Sequence, residues 1–203
     1  MTSNPGLARS GEIKYVFLDR DGVINRKLPE GQYVTRWAEL ELLPGSASAI
    51  ASLNRSGRKV ILVTNQRGVS LGLMTEQELR GLHDQLQQKL ATGGATLDAI
   101  YYCPHGCEEC SCRKPGTGMI EAAFRDFPDA NPNNAVLIGD SLSDIECGLK
   151  SGMPTIFIEA GGEPDRIAAA EDVRCQDAAA AKEMATAVAQ SLDEAVRRIL
   201  SCS

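Results

Sequence analysis

No stretch of this sequence stays apolar for long: its longest apolar runs, such as Val60–Val63 and Ala135–Ile138, fall far short of the ~20 residues a membrane span needs. The first residues, Met1–Gly11, are polar and contain Gly and Pro, without the apolar centre of a secretory signal. They are expected to be a disordered lead-in, 1–11, to one domain over 12–203 of a cytoplasmic protein. Positive charge is also scarce. With 27 acidic against 21 basic residues the net charge is −6, which offers no general attraction for nucleic acid or anionic lipid, and neither partner is expected. A phosphorylated ligand would have to find its positive charge locally, in a metal ion or a few placed Lys and Arg. Histidine is rarer still, with two in 203 residues. One of them, His105, stands among Cys103, Cys107, Cys110 and Cys112, four of the seven cysteines. In a cytosolic chain that density reads as a metal site rather than a disulfide framework.

What the sequence has in plenty is alternation. Ile13–Leu18, Lys59–Val63, Leu97–Tyr102, Ala135–Gly139 and Thr155–Ile158 have strand character. Between them, helical spacing marks Pro44–Arg55, Gly116–Phe127 and Ser143–Lys150, and a capping box at Thr75–Glu78 precedes Leu79, Leu82, Leu86 and Leu90 on one face. Ala178–Leu200 reads as one long amphipathic helix with Met184, Val188, Leu192, Ala195 and Ile199 aligned. Strands separated by such helices predict an α/β fold, a doubly wound parallel sheet covered on both faces, with ligands beyond the carboxyl ends of the strands. Asp19, Thr64, Cys103 and Asp140 each end or follow a strand, so one edge collects them. Val23–Leu43 fits no helix and is expected to be a small flap or hairpin; nothing leaves room for a large cap domain.

Asp19-Arg-Asp21-Gly22 puts two carboxylates at a strand end. The first can attack phosphorus in line and form an acyl phosphate. The second, its proton affinity raised by the like charge beside it, can protonate a leaving alkoxide and then deprotonate water. Asp-x-Asp alone is equally the mark of a solvated turn. Asp140 and Asp144, in Gly139-Asp-Ser-Leu-Ser-Asp144, add a hard oxygen site suited to Mg²⁺. Asp140 is the better direct ligand, while Asp144 can bind through water, hold Lys114, or simply favour a helix start. Thr64-Asn65 offers a hydroxyl and turn N–H groups to phosphate, or is an ordinary turn. Lys114, before Pro115 and a helix N-terminus, can pair with phosphate and with Asp19. Among the thiols, Cys103, His105, Cys110 and Cys112 suit tetrahedral Zn²⁺, with Cys107 competing as a ligand through its spacing to Cys110.

In order, Phe17-Leu-Asp-Arg-Asp-Gly-Val-Ile-Asn25, Val63-Thr-Asn-Gln66, Lys114 and Ile138-Gly-Asp140 to Asp144 resemble the motifs of the haloacid dehalogenase (HAD) superfamily of phosphohydrolases, over nearly the whole chain. The resemblance implies a Rossmann-like HAD fold, Asp19 as nucleophile, Asp21 as acid and base, and Mg²⁺ on the Asp19 side chain, the Asp21 carbonyl and Asp140. Tyr101-Tyr-Cys-Pro-His105 with Cys110-Ser-Cys-Arg-Lys-Pro115 narrows it to the zinc-containing D-glycero-D-manno-heptose 1,7-bisphosphate 7-phosphatases, similar in turn to the histidinol-phosphate phosphatases. That family implies Zn²⁺ on Cys103, His105, Cys110 and Cys112, and recognition of the substrate phosphates by Arg113 and Lys114; Thr64, Asn65, Gln66 and Arg67 are also expected to meet the substrate. It also implies a small phosphorylated sugar as substrate, and a monomer is expected. Two features depart from its pattern: only four residues separate His105 from Cys110, and Arg67 stands where a small residue often follows Thr-Asn-Gln.

Two other classes share part of this inventory. A phosphorelay receiver also uses paired carboxylates, Mg²⁺, Thr and Lys, but its phosphoacceptor follows the third strand, where this chain has Cys103. A non-catalytic, zinc-braced phosphate-binding module would not require every catalytic side chain. Of the remaining candidates, His83 is expected as a partly buried surface histidine, and Cys147, Cys175 and Cys202 as filler or surface thiols. Trp37 is expected to pack, Tyr33 to pack or border a sugar, and Arg26 and Lys27 to meet a second phosphate or solvent.

Overall fold

In a computed structural model the described residues are 13–106, 110–159 and 177–201. Apolar runs with no polar alternation can be satisfied only where both faces of a sheet are covered, and most of the strands here are of that kind. They are β1 (Tyr15–Leu18), β2 (Lys59–Asn65), β3 (Ala99–Cys103), β4 (Ala135–Gly139), β5 (Thr155–Ile158) and β6 (Ala187–Ala189). All pair in parallel in the order β3-β2-β1-β4-β5-β6. Successive side chains go to opposite faces. Val16, Leu18, Val60, Leu62, Val136 and Ile138 join one core; Tyr15, Phe17, Ile61, Val63, Ala135 and Leu137 join the other.

The first face is covered by α1 (Ser46–Arg55) and α2 (Glu76–Thr92), the second by α3 (Gly118–Asp126) and α4 (Leu142–Lys150). The capping box read at Thr75–Glu78 is present, with the Glu78 amide donating to Thr75 Oγ1 and the Thr75 amide to Glu78 Oε2. Phe17 meets Phe124 of α3 edge to face at 5.9 Å. Among the described residues no helix is long and apolar enough to cross a membrane.

The expected helix over Ala178–Leu200 is not one element. A helical stretch over 177–184 (α5) ends, Ala187–Ala189 adds β6 to the sheet, and α6 (Leu192–Ser201) follows. Of the face expected for one helix, Leu192, Ala195 and Ile199 are core residues of α6, whereas Val188 lies in β6 and Met184 is 43% exposed. The sheet edge decides against one helix. Ile156–Ile158 would present unpaired backbone there, and pairing with Ala187–Ala189 satisfies it. Thr186 and Thr155 also exchange amide-to-hydroxyl bonds. Helix starts shifted by smaller amounts: α1 begins at Ser46 rather than Pro44, and α3 at Gly118 rather than Gly116.

The segment Val23–Leu43 is a flap and not a hairpin. It holds one short 3-10 turn, Trp37–Glu39, and isolated bridges of Asn25 to Asp21 and to Leu42. Trp37 packs against the first core, as expected of it. The 1–11 lead-in, Cys107, Cys175 and Cys202 lie outside the described residues.

Candidate active site

Strand order reverses direction between β1 and β4, so the chain leaves these neighbours toward opposite sides and opens a crevice at their carboxyl ends. Two of the acidic residues follow these two strands. The Asp19 amide donates to the Ile138 carbonyl at 3.0 Å, extending the ladder one residue and setting Asp19 beside Gly139-Asp140. Carboxylate oxygens of Asp19, Asp140 and Asp144 lie within 4.8 Å of one another. Gly22 makes this approach possible. Its φ is +88°, and a Cβ there would sit 2.2 Å from Asp140 Oδ2. Gly139 does the same for Asp144, whose Cβ would be 2.2 Å from an added methyl.

Three buried anions this close demand compensation. Lys114, 3% exposed, supplies part of it. Its Nζ donates to the Val63 carbonyl at 2.8 Å and forms ion pairs with Asp19 at 2.8 Å and Asp144 at 2.5 Å. Burial disfavours the ammonium, but Asp144 and Asp19 more than offset it and hold Lys114 well above the usual lysine range. Asn65 fixes the lysine's backbone, accepting from its amide at 3.0 Å and donating to its carbonyl at 3.1 Å. Asp144 is the residue that holds Lys114. Its second oxygen accepts from Ser141 Oγ at 2.5 Å and from the Ser141 amide at 3.1 Å in a capping box at the start of α4. The signal for that box, Ser-x-x-Asp, stood in the sequence.

The compensation is incomplete. Burial, with Asp144, Asp140 and Asp21 adding repulsion and Lys114 opposing it, pushes Asp19 up to about 7. Asp140 is raised by burial too, and among the described residues its Oδ1, like Asp19 Oδ1 and Asp144 Oδ1, is buried with no hydrogen-bond partner. An orphaned carboxylate oxygen between anions is what a divalent cation would satisfy, and the all-oxygen donor set is that of a hard ion.

Asp21 corrects an expectation. Repulsion from Asp19 was expected to raise its proton affinity. Burial does push that way, but the Arg20 guanidinium and hydrogen bonds from Asn25, Arg20 and Gln66 outweigh it, and Asp21 lies below the usual carboxylate range. Arg20 Nη2 reaches the two oxygens of Asp21 at 2.9 and 3.1 Å, Asn25 Nδ2 donates at 2.8 Å and Gln66 Nε2 at 3.2 Å. Arg20 itself is 1% exposed, with Nη1 3.5 Å from His83 Nε2. His83 is therefore buried behind the site instead of lying at the surface. Burial and the adjacent Arg20 push it down to about 3, which keeps it neutral and able to accept from the guanidinium. Sequence reasoning passed over Arg20 and Asn25 although both stand inside the quoted motif, because only contact shows where their donors go.

A cavity of about 300 Å³ opens above these groups, walled by Asp19, Asp21, Asn65, Gln66, Arg113 and Lys114 and, from the flap, by Lys27, Gln32 and Tyr33 among others. Tyr33 thus borders the cavity. Thr64 is 1% exposed behind the wall, its hydroxyl accepting from Gln66 Nε2 at 2.8 Å, and Arg67 is not part of the wall. Arg26 pairs outward with Glu41, whereas Lys27 turns inward to Asp140 at 2.7 Å.

Cys103, His105, Cys110 and Cys112 come together as the spacing suggests, with one donor atom of each within 4.8 Å of the rest. The sulfurs are 3.2 to 3.4 Å apart, much too far for disulfides, and His105 Nδ1 is 3.3 Å from Cys112 Sγ. The Arg113 amide points at Cys110 Sγ from 3.4 Å. Although burial opposes it, that bond and the one from Cys112 push Cys110 down to about 6, favouring the thiolate. Three sulfurs and an imidazole nitrogen in one cluster can hold a metal ion, and the Gln66 amide, bonded to the Cys103 carbonyl at 2.8 Å, ties the cluster to the cavity wall.

Comparison with known proteins agrees with this arrangement. A family model described as HAD-hydrolase-like matches residues 111–195. The D-glycero-alpha-D-manno-heptose-1,7-bisphosphate 7-phosphatase of Mycobacterium tuberculosis is 42% identical over 139 residues, 68% of this chain and 73% of that protein. The D-glycero-beta-D-manno-heptose-1,7-bisphosphate 7-phosphatase of Bordetella bronchiseptica is 36% identical over 176 residues, 84% of this chain and 97% of that one. A crystal structure of D,D-heptose 1,7-bisphosphate phosphatase from B. bronchiseptica, complexed with magnesium and phosphate, has a TM-score of 0.78 at 30% identity, covering 94% of this chain and 100% of its own. Fold, site and likeness define a phosphatase of the HAD superfamily. Within that class the chain belongs to the family of the heptose-1,7-bisphosphate 7-phosphatases.

Proposed function

We propose that this protein hydrolyses the 7-phosphate of D-glycero-D-manno-heptose 1,7-bisphosphate through an aspartyl-phosphate on Asp19, in the synthesis of nucleotide-activated heptose. The observation that carries the chemistry is the meeting of Asp19 and Asp140 at the switch point with Lys114 against Asp19. The substrate rests on the relatives, which are named for it at 36–42% identity. An oxygen of Asp19 attacks phosphorus while the bond to the sugar oxygen breaks, and Asp21 gives that oxygen its proton. Water then attacks the acyl phosphate, Asp21 takes its proton, and Asp19 is regenerated. Arg20, Asn25 and Gln66 keep Asp21 ionised, the state needed for the second half. An arriving phosphate dianion raises the proton affinity of nearby carboxyls and so favours the acid form for the first half.

Asp19, the Asp21 carbonyl and Asp140 would hold Mg²⁺, which supplies charge neutralisation for phosphate and nucleophile. Lys114 and Asn65 position Asp19 and the cavity wall, and Thr64, Gln66 and Arg113 are read as the phosphate side of the pocket, with Arg67 at its margin. Cys103, His105, Cys110 and Cys112 would hold one structural Zn²⁺ that fixes Arg113. Such an enzyme is expected to act as a cytoplasmic monomer on a small sugar phosphate, without nucleic-acid or membrane partners.

Two measurements test this reading. In a panel of phosphate esters, kcat/KM for the heptose bisphosphate is expected to exceed that for histidinol phosphate by at least about a hundredfold. Preference for histidinol phosphate would remove the substrate assignment and leave the chemistry standing. Both anomers belong in the panel, because the relatives are named for both. Elemental analysis is expected to give about one zinc per chain, and Cys110→Ser to lose it together with several degrees of Tm. A metal-free protein with an unchanged Tm would end the zinc reading.

A further inference from the structure

Lys27 stands out on the flap because, among the described residues, its only hydrogen bond runs to a residue of the acidic cluster. Its Nζ donates to Asp140 Oδ2 at 2.7 Å, with the side chain 53% exposed and the carboxylate 6% exposed. The other cations around the cavity are differently committed. Lys114 is tied to Asp19, Asp144 and the Val63 carbonyl, and Arg20 spends its guanidinium on Asp21 and His83. Arg113 and Lys27 remain, on different segments of the wall.

Building on the function proposed above, we propose that Lys27 is an exchangeable counter-charge: it competes with the divalent cation for Asp140, and once displaced it binds the second phosphate of the bisphosphate substrate. Three observations support this. The ammonium sits on the very carboxylate whose other oxygen lacks a partner, so a cation on Asp140 would face it across one carboxyl group and repel it. The pair is held at one end by a half-exposed, four-carbon stem, so release costs little beyond one ion pair. And the flap carrying Lys27 forms the cavity wall together with Tyr33 and Gln32, where a second dianion needs a cation with donors to spare. Arg26 is no substitute, since its guanidinium is turned away onto Glu41.

The test has two arms. In the first, Mg²⁺ is titrated into substrate-free protein and followed by calorimetry. Lys27→Gln is expected to bind Mg²⁺ several-fold more tightly than wild type, and Lys27→Arg about as wild type. In the second, KM is measured for the heptose bisphosphate and for p-nitrophenyl phosphate, which has no second phosphate. Lys27→Gln is expected to raise the ratio of the two KM values about tenfold, and Lys27→Arg to restore much of it. Unchanged or weaker Mg²⁺ binding in Lys27→Gln overturns the competition, and an unchanged KM ratio overturns the phosphate contact. If wild type does not turn over the heptose bisphosphate at all, it is the substrate reading that fails, and the magnesium arm still decides the competition.

Discussion

Asp19→Asn protein is expected to fold normally and to lose phosphatase activity by about four orders of magnitude or more, because the variant's amide cannot form the acyl phosphate. Folding should survive because Lys114 keeps Asp144 and the Val63 carbonyl as partners, and an Asn side-chain oxygen can still accept from the ammonium. The sign of the stability change follows from the proton linkage. Asp19 is pushed up to about 7 in the folded state from an ordinary value of 3.8, so the folded form holds its proton more tightly than the unfolded chain. This group therefore costs stability progressively as pH rises from about 4 through about 7 in the metal-free protein. At pH 7.5 without metal, Asp19→Asn should unfold at the same temperature as wild type or a few degrees above it. Adding Mg²⁺ should raise the Tm of wild type more than that of the variant, since the variant has lost a charged ligand. Residual turnover above about a hundredth of wild type would exclude Asp19 as nucleophile.

The second large effect comes from a residue with no chemistry of its own. Gly22→Ala is expected to reduce activity at least a hundredfold and to cost about 2–4 kcal/mol of stability. Two causes act together. At φ +88° a side chain is strained, and the added methyl would lie 2.2 Å from Asp140 Oδ2 and 2.5 Å from Asp140 Cγ. Asp140 cannot simply turn aside, since Gly139 behind it is packed against Asp144. Either the turn after Asp21 opens or Asp140 leaves the cluster, and both separate the carboxylates that must share a cation. Gly31→Ala, at a similar φ of +80° with nothing within 4 Å, is the control that isolates strain from collision. It should cost stability without a comparable loss of activity. Equal losses in the two variants would mean that the close approach to Asp140 is unimportant.

Acid–base behaviour divides the same way between position and neighbours. Two carboxylates two residues apart suggest mutual repulsion, and for Asp19 that holds. For Asp21 it does not, because Arg20 folds back on it and is kept in place by a buried neutral His83. That arrangement joins residues 63 positions apart, and no local pattern announces it. The single-helix reading of Ala178–Leu200 failed for a related reason. Leu192, Ala195 and Ile199 are buried as a helix face would require, but the open edge of β5 takes Ala187–Ala189 as a strand.

The sequence alone carried the strand and helix alternation, the parallel sheet that follows from it, and the identity of the residues gathered at the carboxyl edge. It could do so because periodicity and strand-end position are local properties of the chain. Packing of the whole chain settled which oxygens are left without partners, which of Arg26 and Lys27 turns inward, that Asp144 serves Lys114, and that Gly22 lets Asp140 approach. Those are matters of distance between segments far apart in sequence, where charge and packing, falling off over a few ångströms, depend on where each side chain ends and not on what precedes it.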